Sequence, residues 1–369
     1  MESRSLVIVL FGLILISGNV FLTLQDTNEE LNATTAEYFE RQNAQNLAQA
    51  GAHMGLMRLA DDPSWRTGYT NLSLLGGRVT VTLTDTVFSG SDVVRVRAIS
   101  TMNAARLNLT RRDTCIAYVP LGYIPGTVRA AITTNNPVKT LGNLTVDGRE
   151  HRMTGALVAG RGTNGIWTTR TLSQSGSSTI GGTAGGTDYA PAKPGNANII
   201  KTGQTWPGGY PGSPDSIIGG PAMGFPEGRL KAMAQSGIGG SQYVSNPSAL
   251  TFPLRGVTYV ELPSGGTWQS MSIDGSGILI VHNQWRNAIM KNLNSGTFKG
   301  LMIVDDPVHI HTTVIGALIA LTPAPSEGNC IGNGSGTVMY SSEAIRNATA
   351  TLSGRSGNGS DANVLAWWE

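Results

Sequence analysis

From Leu6 to Leu24 the chain reads LVIVLFGLILISGNVFLTL, nineteen residues without a charge. As a helix this run rises about 28 Å, close to the roughly 30 Å hydrocarbon core of a bilayer. A water-soluble fold would have to cover such a segment on every side, so it constrains all that comes after it. The continuation, QDTNEELNATTAEYFERQNAQNLAQAGAHMGLMRLADD, is polar but helix-prone, and no proline occurs before Pro63. The pattern predicts one helix that begins in an apolar phase and runs out into water until Asp61, Asp62 and Pro63 stop it.

A cleaved secretory signal would need a basic start, a shorter apolar core and a small-residue cleavage site. Here Glu2 and Arg4 cancel, and no A-x-A-like site follows the run. A plain single-pass anchor accounts for the run but not for its long extension. Inside the run, Gly12, Ser17, Gly18 and Asn19 weaken the helix, a Gly costing about 1 kcal/mol against Ala. Gly18-Asn19 is the point where it would unwind if neighbouring chains packed around it. Farther on, Ala44, Ala48, Gly51, Ala52 and Gly55 recur at three- and four-residue spacing. Such a stripe lets another backbone come close, either the chain's own sheet or a neighbouring subunit.

Three runs with period two follow: RVTVTLTDTVF at 78–88, DVVRVRAISTM at 92–102 and ARLNLTRRDTCIAYV at 105–119. They predict a half-buried antiparallel meander with turns at Gly90 and Asn103. Beyond Pro120 the texture becomes Gly-rich, and a quasi-repeat appears: GALVA at Gly155, GVTYV at Gly256, GILIV at Gly277, GLMIV at Gly300 and GALIA at Gly316. The last four glycines lie 21, 23 and 16 residues apart, a spacing that suits successive coils sharing an apolar core. The expected architecture is α+β: a long hydrophobic helix, a small antiparallel sheet, then a mostly-β domain built as a β-helix or solenoid, with a β-sandwich as the alternative. Its boundaries are 1–62, 63–120, 121–345 and a C-terminal tail at 346–369. The Pro/Gly-rich stretch from Ala190 to Gly228 is too long for a plain connector. It reads as an ordered excursion in which Trp206, Tyr210 and Phe225 pack on the domain flank or on a neighbour, followed by a short helix at Glu227–Gln235. The terminal VLAWWE is expected to be tied down through its tryptophans.

The formal charge of +2 with 14% charged residues signals no nucleic-acid partner. Phosphate loops, dinucleotide fingerprints and nucleophile elbows are missing. Two groups could carry chemistry: Asp147, Arg149, Glu150 and His151 in one turn, and Asp305, Asp306, His309 and His311 in another. Asp-Gly-Arg and Asp-Asp-Pro are also natural turn sequences, so no catalytic residue is assigned. His309 and His311 alternate along a strand and share a face, which makes them weak metal candidates, with His282 or Asp305 as conceivable third ligands.

The apolar helix that continues into a stalk, followed by a meander, resembles the type IV pilin and pseudopilin superfamily over about residues 1–118. The Gly-rich region is similar to those attached to PilX-type pilins. Members usually carry Glu at the fifth mature position; here Ser5 stands there, with Glu2 nearby. The resemblance implies a structural protein without cofactor or catalytic activity. Its filament core would be built from Leu6, Val9, Leu10, Leu13, Ile16, Gly18, Phe21 and Leu24. Implied partners are further copies of the chain in a helical homopolymer, the pilus assembly machinery of the inner membrane, and surface glycans or other cells. The implied location is the inner membrane before assembly and an extracellular filament afterwards. A minor pilin or tip adhesin, or a membrane-anchored carbohydrate-active β-helix protein, are the alternatives. In an exported chain Cys115 and Cys330 are expected to form one disulfide, the other reading being two unrelated buried thiols.

Overall fold

The computed structural model describes residues 2–61, 65–88, 91–104, 109–269, 272–292, 294–331, 333–353 and 366–368. It has a long N-terminal helix, a small antiparallel sheet and then a mostly-strand region, an α+β arrangement. The chain forms two compact units: residues 1–119 with 364–369, and residues 120–363.

In the first unit, helix α1 (Glu2–Asp61) runs unbroken through Gly12, Gly18 and Asn19. The hydroxyls of Thr23, Thr27, Thr34 and Thr35 each donate to the carbonyl four residues earlier at 2.7–2.9 Å, so the helix satisfies them itself. The sheet is ordered β1 (Tyr69–Leu74), β2 (Gly77–Phe88), β3 (Ser91–Ala104), β4 (Leu109–Pro120), then the C-terminal strand Ala366–Trp368. Val79, Val81 and Leu83 of β2 and Val94, Val96 and Ala98 of β3 are buried, as the period-two pattern requires. Against them lies the stripe on α1: Ala44, Leu47, Ala48, Ala52, Leu56 and Leu59 are at most 4% exposed. The glycines in that stripe set the distance. A Cβ on Gly51 would sit 2.4 Å from Val79 Cγ2, and one on Gly55 would sit 3.0 Å from Val96 Cγ1. The small-residue stripe therefore serves the chain's own sheet.

Two details of this unit differ from the sequence reading. Asn103 lies inside β3 rather than at a turn. The 346–369 region is not one tail: helix Ser342–Ser353 packs into the second unit, while Ala366–Trp368 pairs antiparallel with β4. There the Trp367 ring lies 4.9 Å from His53. Gly90, Asp62, Pro63 and residues 105–108 lie outside the described residues.

The second unit is organised by a parallel ladder. Its strands lie in the order Ile200–Lys201, Asn164–Thr168, Ala130–Thr134, Thr313–Ala320, Thr297–Val304, Gly275–His282, Val257–Glu261 and Gln242–Val244, every neighbouring pair parallel. A β-sandwich, by contrast, is built from antiparallel sheets. Register stacks like on like: Leu279, Met302, Leu318, Ile132 and Ile166 form one fully buried row. Ile278, Leu279, Ile280 and Val281 are all buried, so both faces of that strand are covered and its sequence is continuously apolar. Shorter parallel ladders, such as Thr267–Gln269 with Ile289–Lys291 and Val138–Thr140 with Leu172–Gln174, fall between the main strands in sequence.

Gly277, Gly300 and Gly316 are register partners with φ of 117°, 140° and 147°. A Cβ on each would meet the carbonyl oxygen of the glycine one strand before it, at 2.2, 2.0 and 1.8 Å. Only glycine can occupy this column. Gly155 does not belong to it, since it sits in a turn before the exposed strand Leu157–Gly162.

The Pro/Gly-rich excursion links the two ends of the ladder, from Ile200–Lys201 to Gln242–Val244. Trp206 packs edge-on against Trp167 and Tyr210 at 5.2 and 5.3 Å, Tyr210 donates to the Thr133 carbonyl at 3.3 Å, and Phe225 is buried. The short helix forms at Arg229–Gln235. Cys115 and Cys330, expected to pair, are unbridged in the structure and lie in different units. Each thiol is enclosed in the core of its own unit, at 1% and 0% exposure. The hydroxyl of Thr134 donates to Cys330 Sγ at 3.5 Å, and burial pushes that thiol up to about 12.

Gly300→Ala is expected to destabilise the second unit by about 2–4 kcal/mol through backbone strain and collision with the Gly277 carbonyl. Gly126→Ala, whose methyl would meet nothing within 4 Å, should leave the unit unchanged. Thermal unfolding followed by circular dichroism compares the two.

Candidate functional site

The first candidate is the part of α1 that no sheet covers. Val9, Leu10, Leu13, Ile16, Phe21 and Leu24 are 54–67% exposed, and Gly18 lies on the same open surface. Leu6 is helical, but its side chain lies outside the described set. Leu31, Tyr38 and Phe39 continue the exposed apolar series, which ends where Ala44 reaches the sheet. This is one helix long and apolar enough to cross a membrane. Between Ile8 and Leu24 twelve large apolar side chains stand open; covering them would contribute on the order of 15–20 kcal/mol. Soluble monomers rarely leave a contiguous apolar surface of that kind uncovered.

In the first polar group Arg149 and His151 gather on Asp147, and Glu150 faces elsewhere. Thr145–Asp147 and Arg149–His151 are extended, so alternate residues point to opposite sides. Asp147, 4% exposed, is held two-pronged by Arg149 at 2.9 and 2.6 Å, with His151 Nε2 at 3.5 Å. His151 Nδ1 faces the Arg149 and Tyr340 carbonyls at 2.8 and 3.3 Å. Glu150 turns away. Its Oε1 accepts from the Ser342 amide and hydroxyl, both at 2.9 Å, at the N-terminus of helix Ser342–Ser353, where a carboxylate suits the helix dipole. Burial nevertheless holds the Glu150 carboxyl above the usual range.

The second group separates in the same way. Asp305, fully buried, accepts from His282 Nδ1 at 2.6 Å and from the amides of Asn283 and Ala288 at 3.0 and 3.2 Å. It fastens the corner at 283–288. Asp306 points elsewhere: Oδ2 accepts from the Ser326 amide at 2.7 Å, while Oδ1 is buried without a hydrogen-bond partner. Burial raises its carboxyl above the usual range. His309 and His311 do share a region, with rings 6.5 Å apart and nearly perpendicular, but their Nδ1 atoms are engaged by Asn292 at 2.7 Å and Ser335 at 2.8 Å. His309 Nε2 lies 3.7 Å from Glu327, and burial holds the ring's pKa below the ordinary value. Among the described residues no group of three His, Cys, Asp or Glu side chains is placed to hold a metal. Neither His282 nor Asp305 reaches this pair as a third ligand; they bond to each other.

One further feature escaped the sequence. An open-sided groove of about 420 Å³ is lined by Tyr243, Glu261, Pro263, Asn283, Gln284 and Trp285 among others. These residues come from successive strands and the corner after one of them, so nothing local in the sequence joins them. Comparison of the chain with models of protein families, with curated proteins and with solved structures finds no match.

The raised carboxyl of Asp306 has a defined sign. Protonation favours the fold, so its contribution is complete below the ordinary carboxylate range and is lost as pH rises through the raised value. Asp306→Asn is therefore expected to raise the unfolding midpoint of the second unit at pH 7 and to leave it unchanged near pH 3. Urea titrations at the two pH values read the difference.

Proposed function

We propose that this chain is a pilin-like structural subunit that polymerises through the N-terminal half of α1 into an extracellular filament. The observation that carries the reading is the division of one continuous helix: residues 44–59 bury one face on the chain's own sheet, while residues 8–39 are left open. A segment of bilayer length that extends into a docked, water-facing helix has two apolar surroundings available to it, lipid and the same segment of other subunits. Exchange of the first for the second is the proposed assembly step. At Gly12 and Gly18 a Cβ would meet nothing within 4 Å, so both leave room for close helix approach or local unwinding. Before assembly the chain would sit in the inner membrane, where the pilus assembly machinery would engage it.

For the second unit the proposal is a β-solenoid displayed on the filament surface. Supporting it are the in-register parallel strands, the glycine column and the short ladders that alternate with the main strands in sequence. A minor pilin or tip adhesin, or a membrane-anchored surface protein, would use the same helix without forming the bulk polymer.

Val9→Asp or Leu13→Asp is expected to abolish filaments while the second unit keeps its unfolding transition, because a charge in the apolar core costs several kcal/mol per subunit. Electron cryo-microscopy of filaments sheared from cells decides the matter. A helical array with Leu6–Leu24 at its centre supports the major-subunit reading. Normal filaments from either variant would refute it, and filaments built of another chain would favour the minor-subunit or anchored alternatives.

A further inference from the structure

The groove beside Glu261 has the composition of a ligand site, and its parts are fixed in place. Trp285 is 54% exposed although it stands on an ordered corner. Asn283 builds that corner: its Oδ1 accepts from the amides of Trp285 and Asn287, both at 3.1 Å, and its Nδ2 donates to the Pro263 carbonyl and to Asn287 Oδ1. Beneath it, Asp305 binds the Asn283 and Ala288 amides. An exposed indole is thus presented by a rigid turn, with little ordering left for a ligand to impose.

The polar part of the groove is equally constrained. Glu261 Oε2 accepts from Lys231 Nζ at 2.6 Å and from the Tyr243 hydroxyl, and Lys231 also lies over the Tyr243 ring at 5.3 Å. Burial pushes the Glu261 carboxyl upward, but the bonds from Lys231 and Tyr243 outweigh it and hold the group below the usual range, so it is ionised at neutral pH. Among the described residues none hydrogen-bonds Oε1. The Lys231 charge offsets that of Glu261, so the pair presents little net field to a ligand of either sign. What remains is an aromatic face, an acceptor and a side-chain amide around about 420 Å³, within the usual range of roughly 300–1,000 Å³ for small-molecule sites.

We propose that this groove binds a neutral pyranose sugar, its C–H face stacked on Trp285 and its hydroxyls bonded to Glu261 Oε1 and Gln284. Binding without cleavage is the expected outcome, because glycoside hydrolysis ordinarily takes two carboxyl groups flanking the bond and Glu261 is the one carboxylate among the lining residues. The site belongs to the second unit alone and stands whether or not the chain polymerises.

The test uses the full chain in a non-sugar detergent on beads carrying amylose, cellulose, mannan or galactan, with the matching methyl pyranoside as competitor. Retention on at least one matrix, released by its pyranoside, is expected. Trp285→Ala should weaken it tenfold or more and Glu261→Gln by about threefold, both with unchanged unfolding transitions. Trp368→Ala, which removes an equally exposed indole from the first unit, should have no effect. Failure of all four matrices to retain the protein, undiminished retention of Trp285→Ala, or release of reducing ends from the matrix would each overturn the proposal. Filament formation is not part of any of these readouts, so their failure leaves the assembly proposal where its own experiment puts it.

Discussion

A sixty-residue helix carries more apolar surface than one small sheet can cover, and the first unit is arranged around that excess. The covered part is made by subtraction. Glycine at 51 and 55 and alanine at 44, 48 and 52 remove side chains until the helix backbone can rest on Val79, Val81 and Val96. The uncovered part keeps its Leu, Ile, Val and Phe residues at full size. A segment meant for the same sheet would show the same thinning of side chains. Between residues 8 and 24 the small residues are Gly12, Ser17 and Gly18, and twelve large apolar side chains stay exposed around them.

The second unit solves a different problem. Parallel strands buried on both faces gain much apolar contact, but consecutive strands must stack without the side chains at each bend colliding. The column of Gly277, Gly300 and Gly316 does this on three consecutive strands by allowing positive φ and close carbonyl contact at one place on each. Acidic side chains fix the corners in turn. Asp305 ties 282–288 together, and Asp306 accepts from the Ser326 amide, so these carboxyl groups act as acceptors for corner amides.

Much of this was legible in order along the chain. The apolar run and the lack of a breaker predicted α1, period two marked β2 and β3, and the glycine spacing marked the column. The polar groups were less legible. Asp147 to His151 and Asp305 to His311 read as single clusters in sequence, yet an extended backbone keeps Asp147, Arg149 and His151 on one side and turns Glu150 to the other, and Asp305 and Asp306 part in the same way. The two cysteines invite pairing by number alone, and each is buried in its own unit. Conversely, Tyr243, Glu261 and Trp285 meet only after strands are stacked. Their separation in sequence depends on irregular coil lengths, which no periodicity reveals.

The order of strands in the ladder has a consequence for how the second unit holds together. Winding does not proceed from one end to the other. Strands at 130, 164 and 200 step outward in one direction, the excursion carries the chain to the opposite end, and strands at 242, 257, 275, 297 and 313 step back. One seam is the pairing of Ala130–Thr134 with Thr313–Ala320, where Leu318 meets Ile132 and Ile319 meets Thr133. In an array of sequential repeats stability is roughly a sum of neighbour terms and the ends can fray independently. Here that contact joins an early strand to a late one, and the later strand Thr337–Tyr340 likewise pairs with both Thr313–Ala320 and the early Thr145–Asp147, so neither half can bury its innermost row without the other. Helix Ser342–Ser353, capped by Glu150 from the early half and packed on late strands, adds a second bond of the same kind. The unit is therefore stabilised as a whole, with its closing contacts at the centre and the Trp285 groove toward one of its ends.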